Sequence, residues 1–444
     1  MKTHGLRATG SLVAVLLTGP ALALEAQGTA ADTAALGPRL SLETVVARTL
    51  AHSPGVAGAE GAVRDAAALR RVTLGAYLPS VALNSSAGWT DQSIATSGVV
   101  SGVGQRSTVN AYGAGLGAAV DVFTGGRRGA QRSQAEAISQ AADAGLVQTR
   151  YATILLARRG FFEVLRAHEL VRVADESVAQ AELGLGYARD REQAGTATRA
   201  DVLLARLAAS TARRQWLAAA DTLGMTTAAL GRLVGADGPV DADTLTALEP
   251  APLALSDSGL LALAPAAAPV VANAEALASA SAAAVRASET QYLPTISLGA
   301  GYNWSNDGRL TGALRSGWIV AFSTSFPLFN GFAREASVTQ AKVAAEVATT
   351  TSADTRRFVR AEAQRLIGSL RVAEQDIALS REAVRLATEE LRVIRARYRA
   401  GIATILDVLT SQTALVQADL ALVSARFTYQ IARASLEALL GRDL

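Results

Sequence analysis

The chain has 444 residues, with 42 Lys and Arg against 39 Asp and Glu, and it contains no cysteine. The missing cysteine excludes disulfides, thiolate metal sites, a cysteine nucleophile and lipidation at an N-terminal cysteine. Because the charges nearly balance, we expect no nucleic-acid partner.

Residues 1–23 are predicted to form a secretory signal peptide. A basic start with Lys2 and Arg7 precedes an apolar run at 12–24, and Ala21–Ala23 matches the small-x-small cleavage pattern. The run is shorter than the roughly 20 residues of a spanning helix. We expect no transmembrane helix later in the chain either, because the best candidate, residues 253–285, is interrupted by prolines and acidic side chains.

The chain repeats itself once. "YLPSVALNSSAGW" at 77–89 matches "YLPTISLGAGYNW" at 292–304, and "VFTGG" at 122–126 matches "LFNGF" at 328–332. Gly125 and Gly195 are 70 positions apart, as are Gly331 and Gly401. We therefore predict a first structural repeat at 24–240, a linker at 241–270 and a second repeat at 271–444.

Each repeat is predicted to begin with two strands, at about 77–90 and 108–123 and again at about 292–304 and 317–329. Apolar residues alternate with small or polar ones, and Trp89, Trp304 and Trp318 lie in these segments. This pattern is typical of a transmembrane barrel with interfacial aromatics. A half-buried soluble sheet is the alternative. Paired strands would be joined by outer loops at 91–107 and 305–316.

Long helices are predicted to follow, at about 127–193 and 333–399, with return helices at about 197–234 and 403–441. The first two segments lack proline and are rich in Ala, Leu, Arg, Gln and Glu. A continuous helix of that length would extend on the order of 100 Å. We expect hairpin tips at Ala194–Gly195 and Ala400–Gly401, since glycine accepts the left-handed conformation that ends a helix.

Four strands do not close a barrel, and lipid does not tolerate an open sheet edge. If the sheet spans a membrane, the chain must assemble into an oligomer. Two copies would give eight strands and a lumen filled by side chains, whereas three copies would give twelve strands and room for a channel.

The repeat, the Tyr-Leu-Pro strand starts and the segment "RYRAGIATILDVLTSQTALVQADLALVSARFTYQIARASLEALLG" resemble the TolC-like outer-membrane efflux proteins. The resemblance implies a mainly α protein with a small β part, in which three copies form a 12-stranded transmembrane β-barrel continued by an α-helical periplasmic tunnel. It implies a homotrimer in outer-membrane lipid whose partners are a periplasmic adaptor and an inner-membrane transporter. It also implies that the protein is not an enzyme and has no cofactor or metal.

The resemblance also assigns roles at the tips. It makes Tyr398 a latch that hydrogen-bonds Asp201, and Asp407 part of an acidic ring at the pore mouth. Two positions depart from the family pattern: Thr410 replaces a second acidic residue of the mouth, and Ala403 replaces a latch arginine. We therefore expect a weaker latch, or one held by Arg399 or Arg397.

Two alternatives stay open. The carboxylates of Asp201 and Asp407 would also complement the dipole in the first turn of a helix. The chain as a whole could be a periplasmic coiled-coil adaptor or structural protein without a barrel. The sequence does not identify the transported substrate.

Overall fold

The structure, a computed structural model, describes residues 37–94, 105–243, 256–306 and 314–444. The predicted signal peptide at 1–23 lies outside the described residues, as do the central parts of both predicted outer loops and residues 244–255 of the predicted linker. The described residues form long helices and a small sheet.

The first half contains seven elements. They are β1 (Arg39–Leu40), α1 (Leu42–His52), α2 (Pro54–Gly75), β2 (Ser80–Ile94), β3 (Gln105–Phe123), α3 (Arg127–Gln193) and α4 (Arg199–Leu233). The second half has the same order, with a short 3-10 turn at Thr290–Tyr292 before its first long strand. Its elements are β4 (Asp241–Ala242), α5 (Asp257–Ala267), α6 (Pro269–Glu289), β5 (Thr295–Asn306), β6 (Leu314–Ser325), α7 (Ala333–Arg399) and α8 (Ile405–Leu440).

Several predicted bounds need correction. The strands begin at Ser80 and Thr295 rather than at the tyrosines, because the Tyr-Leu residues form turns and prolines follow them. Strand β6 ends before Pro327, which cannot donate to a ladder. The return helices start two residues later than predicted, since Thr198 and Thr404 are their N-caps.

The predicted linker at 241–270 is partly structured. It contains β4, all of α5 and the first residues of α6. Leu260 and Ala264 on α5 are fully buried and pack with Val359 on α7 and Leu436 on α8. Helices α1 and α2 were not predicted from the sequence. Each half therefore includes a pair of shorter helices, of 11 and 22 residues in the first half and 11 and 21 in the second.

One described stretch, Asp257–Tyr292, is long and apolar enough by composition to cross a membrane, although the sequence analysis expected none. It is not one continuous helix. Ala268 adopts an extended conformation between α5 and α6, and α6 packs against α3 and α7. These contacts place it within the helical body of the protein.

The four longer strands form one antiparallel sheet in the order β2-β3-β5-β6. Its register aligns one apolar row across all four strands: Leu83, Leu116, Tyr302 and Trp318. The adjacent row, on the opposite face, contains Asn84, Gly115, Asn303 and Gly317. The sheet thus has one apolar face and one face of small or polar residues. Strands β2 and β3 are longer than predicted, whereas β5 and β6 are shifted toward the loop between them. The four strands therefore include both ends of each predicted outer loop.

The apolar face of the sheet is exposed in the single chain. Leu83 is 74% exposed and Trp318 is 78% exposed. Strands β2 and β6 lie at the two edges, and neither edge is paired within the described residues. The sheet therefore lacks both a covering layer and a closing strand in one copy.

The same arginine–tyrosine contact ties each long helix to the turn before the first long strand of its half. Arg128 on α3 stacks on the ring of Tyr77 at 4.7 Å from its centroid and donates to the Ala76 carbonyl oxygen at 3.1 Å. Arg334 on α7 stacks on Tyr292 at 4.5 Å and donates to the Pro327 carbonyl oxygen at 3.2 Å. These arginines therefore connect the first turn of each long helix to segments that flank the sheet.

Strands β1 and β4 form a short parallel pair that connects the two halves. Asp241 in β4 is 1% exposed, and its carboxylate contacts His168 Nε2 at 2.6 Å and Arg39 Nε at 3.2 Å. His168 thus ties α3 to this pair. A buried carboxylate needs such partners.

Candidate functional site

The hairpin tips have nearly identical backbones. Gly195 has φ +72° and Gly401 has φ +79°, the left-handed conformation that glycine adopts without strain. In the first tip the N–H groups of the next two residues donate to the Arg191 carbonyl oxygen, and in the second tip they donate to that of Arg397. Ala194, Gly195, Ala400 and Gly401 are all exposed.

The two predicted carboxylates cap the return helices. The Thr198 N–H donates to Asp201 Oδ2 at 2.8 Å, and the Thr404 N–H donates to Asp407 Oδ2 at the same distance. In return, the N–H of each aspartate donates to the threonine hydroxyl, which completes a capping box. Both carboxylates therefore have the structural role at the start of a helix that the sequence left open as an alternative.

Asp407 has one more hydrogen bond than Asp201, because the Thr404 hydroxyl also donates to its Oδ2. The hydrogen bonds from the backbone and side chain of Thr404 hold the pKa of Asp407 below its usual value, and the charge of Arg397 adds to this effect. The carboxylate is exposed, so it stays ionised and accessible at the tip. Thr410, three residues farther along α8, is exposed as well.

Tyr398 lies in a small core that all four helix ends share. It is 2% exposed and packs with Ala188 on α3, Ala205 on α4, and Ile405 and Val408 on α8. We call this group the tip core. Ala403, the position of the missing latch arginine, packs against its edge.

The predicted hydrogen bond from Tyr398 to Asp201 is not present among the described residues. The Tyr398 hydroxyl is buried without a hydrogen-bond partner, and Asp201 accepts from Thr198 at the start of its own helix. Burial raises the pKa of Tyr398, the positive charge of Arg191 opposes the rise, and the negative charge of Asp201 adds to it. Asp201 thus acts on Tyr398 through charge alone.

Arg191 is the residue that sequence reasoning missed. Its Nη1 donates to the Tyr398 carbonyl oxygen at 2.9 Å, and its Nη2 donates to the Thr196 carbonyl oxygen at 2.9 Å. The guanidinium lies 4.6 Å from the centroid of the Tyr398 ring. A second contact of this kind runs from α7 to α3, where the Arg399 guanidinium lies 4.1 Å from the centroid of the Tyr187 ring. The repeat contained the signal, because Arg191 precedes Gly195 by four positions, as Arg397 precedes Gly401.

A groove of about 500 Å³ lies farther from the tips, between α3, α4 and α8. Exposed Leu204 and Leu207 on α4 line one side, and Gln412 and Asp419 on α8 line the other. Burial raises the pKa of Asp419, and the nearby negative charge of Glu176 adds to the shift. Within the described ranges no group of three acidic or histidine side chains could hold a metal ion.

Comparison with known proteins identifies the family. The model of the outer membrane efflux protein family matches residues 45–236 and 260–442. The chain belongs to the outer membrane efflux protein family. It is therefore a protein of the outer membrane with a large periplasmic part, as the sequence predicted.

Individual relatives are distant but cover most of the chain. The pyoverdine export outer membrane protein OpmQ of Pseudomonas aeruginosa is 25% identical and covers 90% of this chain and 85% of its own length. Protein CyaE of Bordetella pertussis is 27% identical and covers 84% of this chain and 78% of its own. The structure of the outer membrane protein VceC from Vibrio cholerae has a TM-score of 0.78 at 21% identity, covering 90% and 96%. This likeness shows that the two chains share a fold.

Proposed function

We propose that the protein is the outer-membrane channel-tunnel of a tripartite efflux or type I secretion system. It conducts substrates passively from an inner-membrane transporter and its periplasmic adaptor to the exterior, without catalysis or a cofactor. The observation that carries this proposal is the sheet, whose continuous apolar face is exposed and whose two edges are open.

Assembly of several copies in lipid accounts for both the exposed apolar face and the two open edges of the sheet. An apolar face in contact with acyl chains costs nothing, whereas each unpaired backbone group at a lipid-exposed edge would cost several kcal/mol. Pairing β6 of one copy with β2 of the next removes every edge. Three copies give a 12-stranded barrel with its small and polar face toward the lumen, which leaves space for solutes.

The helices carry the conduit away from the membrane. Helices α3 and α7 each have 67 residues and begin directly after the sheet, so the tips lie about 100 Å from it. We propose that the exposed tip residues Ala194, Gly195, Ala400 and Gly401 dock the adaptor. We also propose that Asp407, with Thr410 behind it, lines the mouth, where three copies would attract cations.

The test uses two adjacent residues on opposite faces of the same strand. Leu83→Arg places a charge on the apolar face, which costs about 2–4 kcal/mol near the bilayer midplane. Asn84→Arg places the same charge on the polar face and should be tolerated. We expect the first variant to lose trimers from the outer-membrane fraction and the second to retain them.

Native mass spectrometry in detergent should give a trimer for the unmodified protein. A monomer under conditions that preserve the barrel, or equal losses for the two variants, would contradict the proposal. Release of the protein from the membrane fraction by a salt wash would favour the alternative, a periplasmic adaptor or structural protein without a barrel.

A further inference from the structure

The connection between β6 and α7 carries three exposed apolar side chains. Leu328 is 82% exposed, Phe329 is 72% exposed and Phe332 is 70% exposed. The rings of Phe329 and Phe332 meet edge to face, with their centroids 5.5 Å apart. We call these three residues the junction patch. A patch of this kind in a single chain indicates a surface that is covered in the assembled protein.

The backbone of Phe332 is unusual. It adopts the left-handed conformation with φ +66°, and among the described residues no other residue except glycine has a positive φ. The internal repeat places Phe332 at the position of Gly126, and the two residues are the N-caps of α7 and α3. Glycine adopts this conformation without strain, whereas a residue with a Cβ is disfavoured there. Strained positions of this kind cluster at functional sites.

The first half shows which neighbours such a junction has. A Cβ on Gly125 would lie 2.7 Å from Leu293 Cβ, in the turn before β5, whereas a Cβ on Gly126 meets nothing within 4 Å. When β6 pairs with β2 of the next copy, the second junction would meet the equivalent turn, at Leu78 of that copy. The repeat therefore predicts that the side chain of Phe332 points away from the next copy.

The patch continues the apolar face of the sheet. Trp318 and Phe322 lie on that face of β6, in the same rows as Tyr302 and Leu298 of β5. Phe326, the residue after the end of β6, keeps the same alternation and is also exposed. The junction patch begins two residues later. Aromatic side chains are favoured where the apolar band of a membrane barrel meets the headgroups, so lipid is the covering layer that fits.

We propose that the junction patch is a phospholipid-contact surface, in which the rings of Phe329 and Phe332 insert into the periplasmic leaflet of the outer membrane. The inference rests on the proposed function, which places the sheet in that membrane. Because the first junction ends at Gly126, only α7 is fastened to the bilayer at its N-cap. A trimer would therefore hold three such contacts, one in each copy.

Spin labelling tests the contact directly, because the chain has no cysteine and one introduced cysteine carries one label. Labelled Phe332→Cys is placed in vesicles of phosphatidylethanolamine and phosphatidylglycerol. Electron paramagnetic resonance then compares its collisions with oxygen, which concentrates among acyl chains, and with a water-soluble nickel chelate. We expect the oxygen collisions to exceed the nickel collisions several-fold.

Leu379→Cys is the matched control. Leu379 is also 70% exposed in the single chain, but it lies about 70 Å farther along α7. Its oxygen collisions should not exceed its nickel collisions. Native mass spectrometry first verifies that each labelled protein is a trimer, and Phe329→Cys reports the same patch if Phe332→Cys does not assemble.

Two further variants separate the ring from the backbone strain. Phe332→Ser and Phe332→Trp both keep a Cβ at the left-handed position, so the strain is similar in both. Hydrogen exchange is measured in the same vesicles on peptides covering 326–340. The serine variant should raise exchange several-fold, whereas the tryptophan variant should stay within about twofold of the unmodified protein, since tryptophan also suits the membrane boundary.

Three results would overturn the inference. Dominant nickel collisions at position 332 would place the side chain in water, and few collisions with either reagent would place it against the next copy. Equal exchange in the serine and tryptophan variants would show that the ring has no lipid partner. Failure of the channel function would instead appear as a monomeric native mass or as equal losses for Leu83→Arg and Asn84→Arg.

Discussion

The two hairpin tips have the same backbone conformation, but their side chains make different contacts. Both reverse through a left-handed glycine, and both start the return helix with a Thr-x-x-Asp capping box. Yet the first tip supplies the arginine of the main cross-hairpin contact and the second supplies the aromatic ring. Duplication thus preserved the geometry that each hairpin needs alone and left the contact between hairpins free to become asymmetric.

The largest expected effect comes from the shared backbone. Gly195→Ala and Gly401→Ala should each destabilise their tip by about 1–2 kcal/mol, the cost of a side chain in the left-handed conformation. Space is not the cause, because an added Cβ meets nothing within 4 Å at Gly195 and only Arg191 Nη2 at 3.9 Å at Gly401. Exchange protection of each tip measures the loss. Gly186→Ala, within α3 and equally free of nearby atoms, should not destabilise the tip.

The N-caps of the two return helices differ by one hydrogen bond, so removing each cap compares the stability of the two tips. Thr198→Ala should cost about 1 kcal/mol, the usual value for a lost N-cap. Thr404→Ala should cost somewhat more, because the Thr404 hydroxyl also donates to Asp407. Serine at either position keeps the hydroxyl and provides the control. Equal protection losses in the two alanine variants would show that the extra hydrogen bond contributes nothing.

The smallest effect is the pH dependence of the second tip. The folded pKa of Asp407 is lowered, so its contribution to stability is present above the unfolded value of about 3.9 and is lost as the pH falls through the folded value. In exchange corrected for intrinsic rates, residues 400–410 should therefore lose protection only below about pH 3.9.

Asp407→Asn is the control, because it should remove this acid transition. A midpoint above about 4 in the trimer would contradict control by the cap. It would mean that three converging carboxylates raise the pKa of one another, as like charges do at close range.

Much of the helical architecture could be predicted from the sequence because its signals are local. The proline-free segments and the paired glycines indicate where α3 and α7 run and where they reverse. The shorter helices α1 and α2 gave a weaker signal, since Pro54 resembles a break in the sequence but stands at the first turn of α2, where its missing N–H costs nothing.

Contacts across the chain could not be predicted in the same way. Arg191 and Tyr398 are 207 positions apart, and no local periodicity relates them. The resemblance supplied a residue pair, Tyr398 and Asp201, but the partner of the tyrosine depends on which groups are already engaged. The Asp201 carboxylate already accepts a hydrogen bond from the Thr198 N–H. This competing partner can be seen only in the folded structure.

The short parallel pair of β1 and β4 has a consequence for the order of folding. It joins residues 202 positions apart, so Arg39 finds Asp241 only after the intervening helices have packed. Closing a loop of this length is slow compared with forming a hairpin. Until then the partner of Asp241 that lies nearer in the sequence is His168, 73 positions away. We therefore expect Arg39 and Leu40 to become fixed late in folding, although they are synthesised before the helices they join.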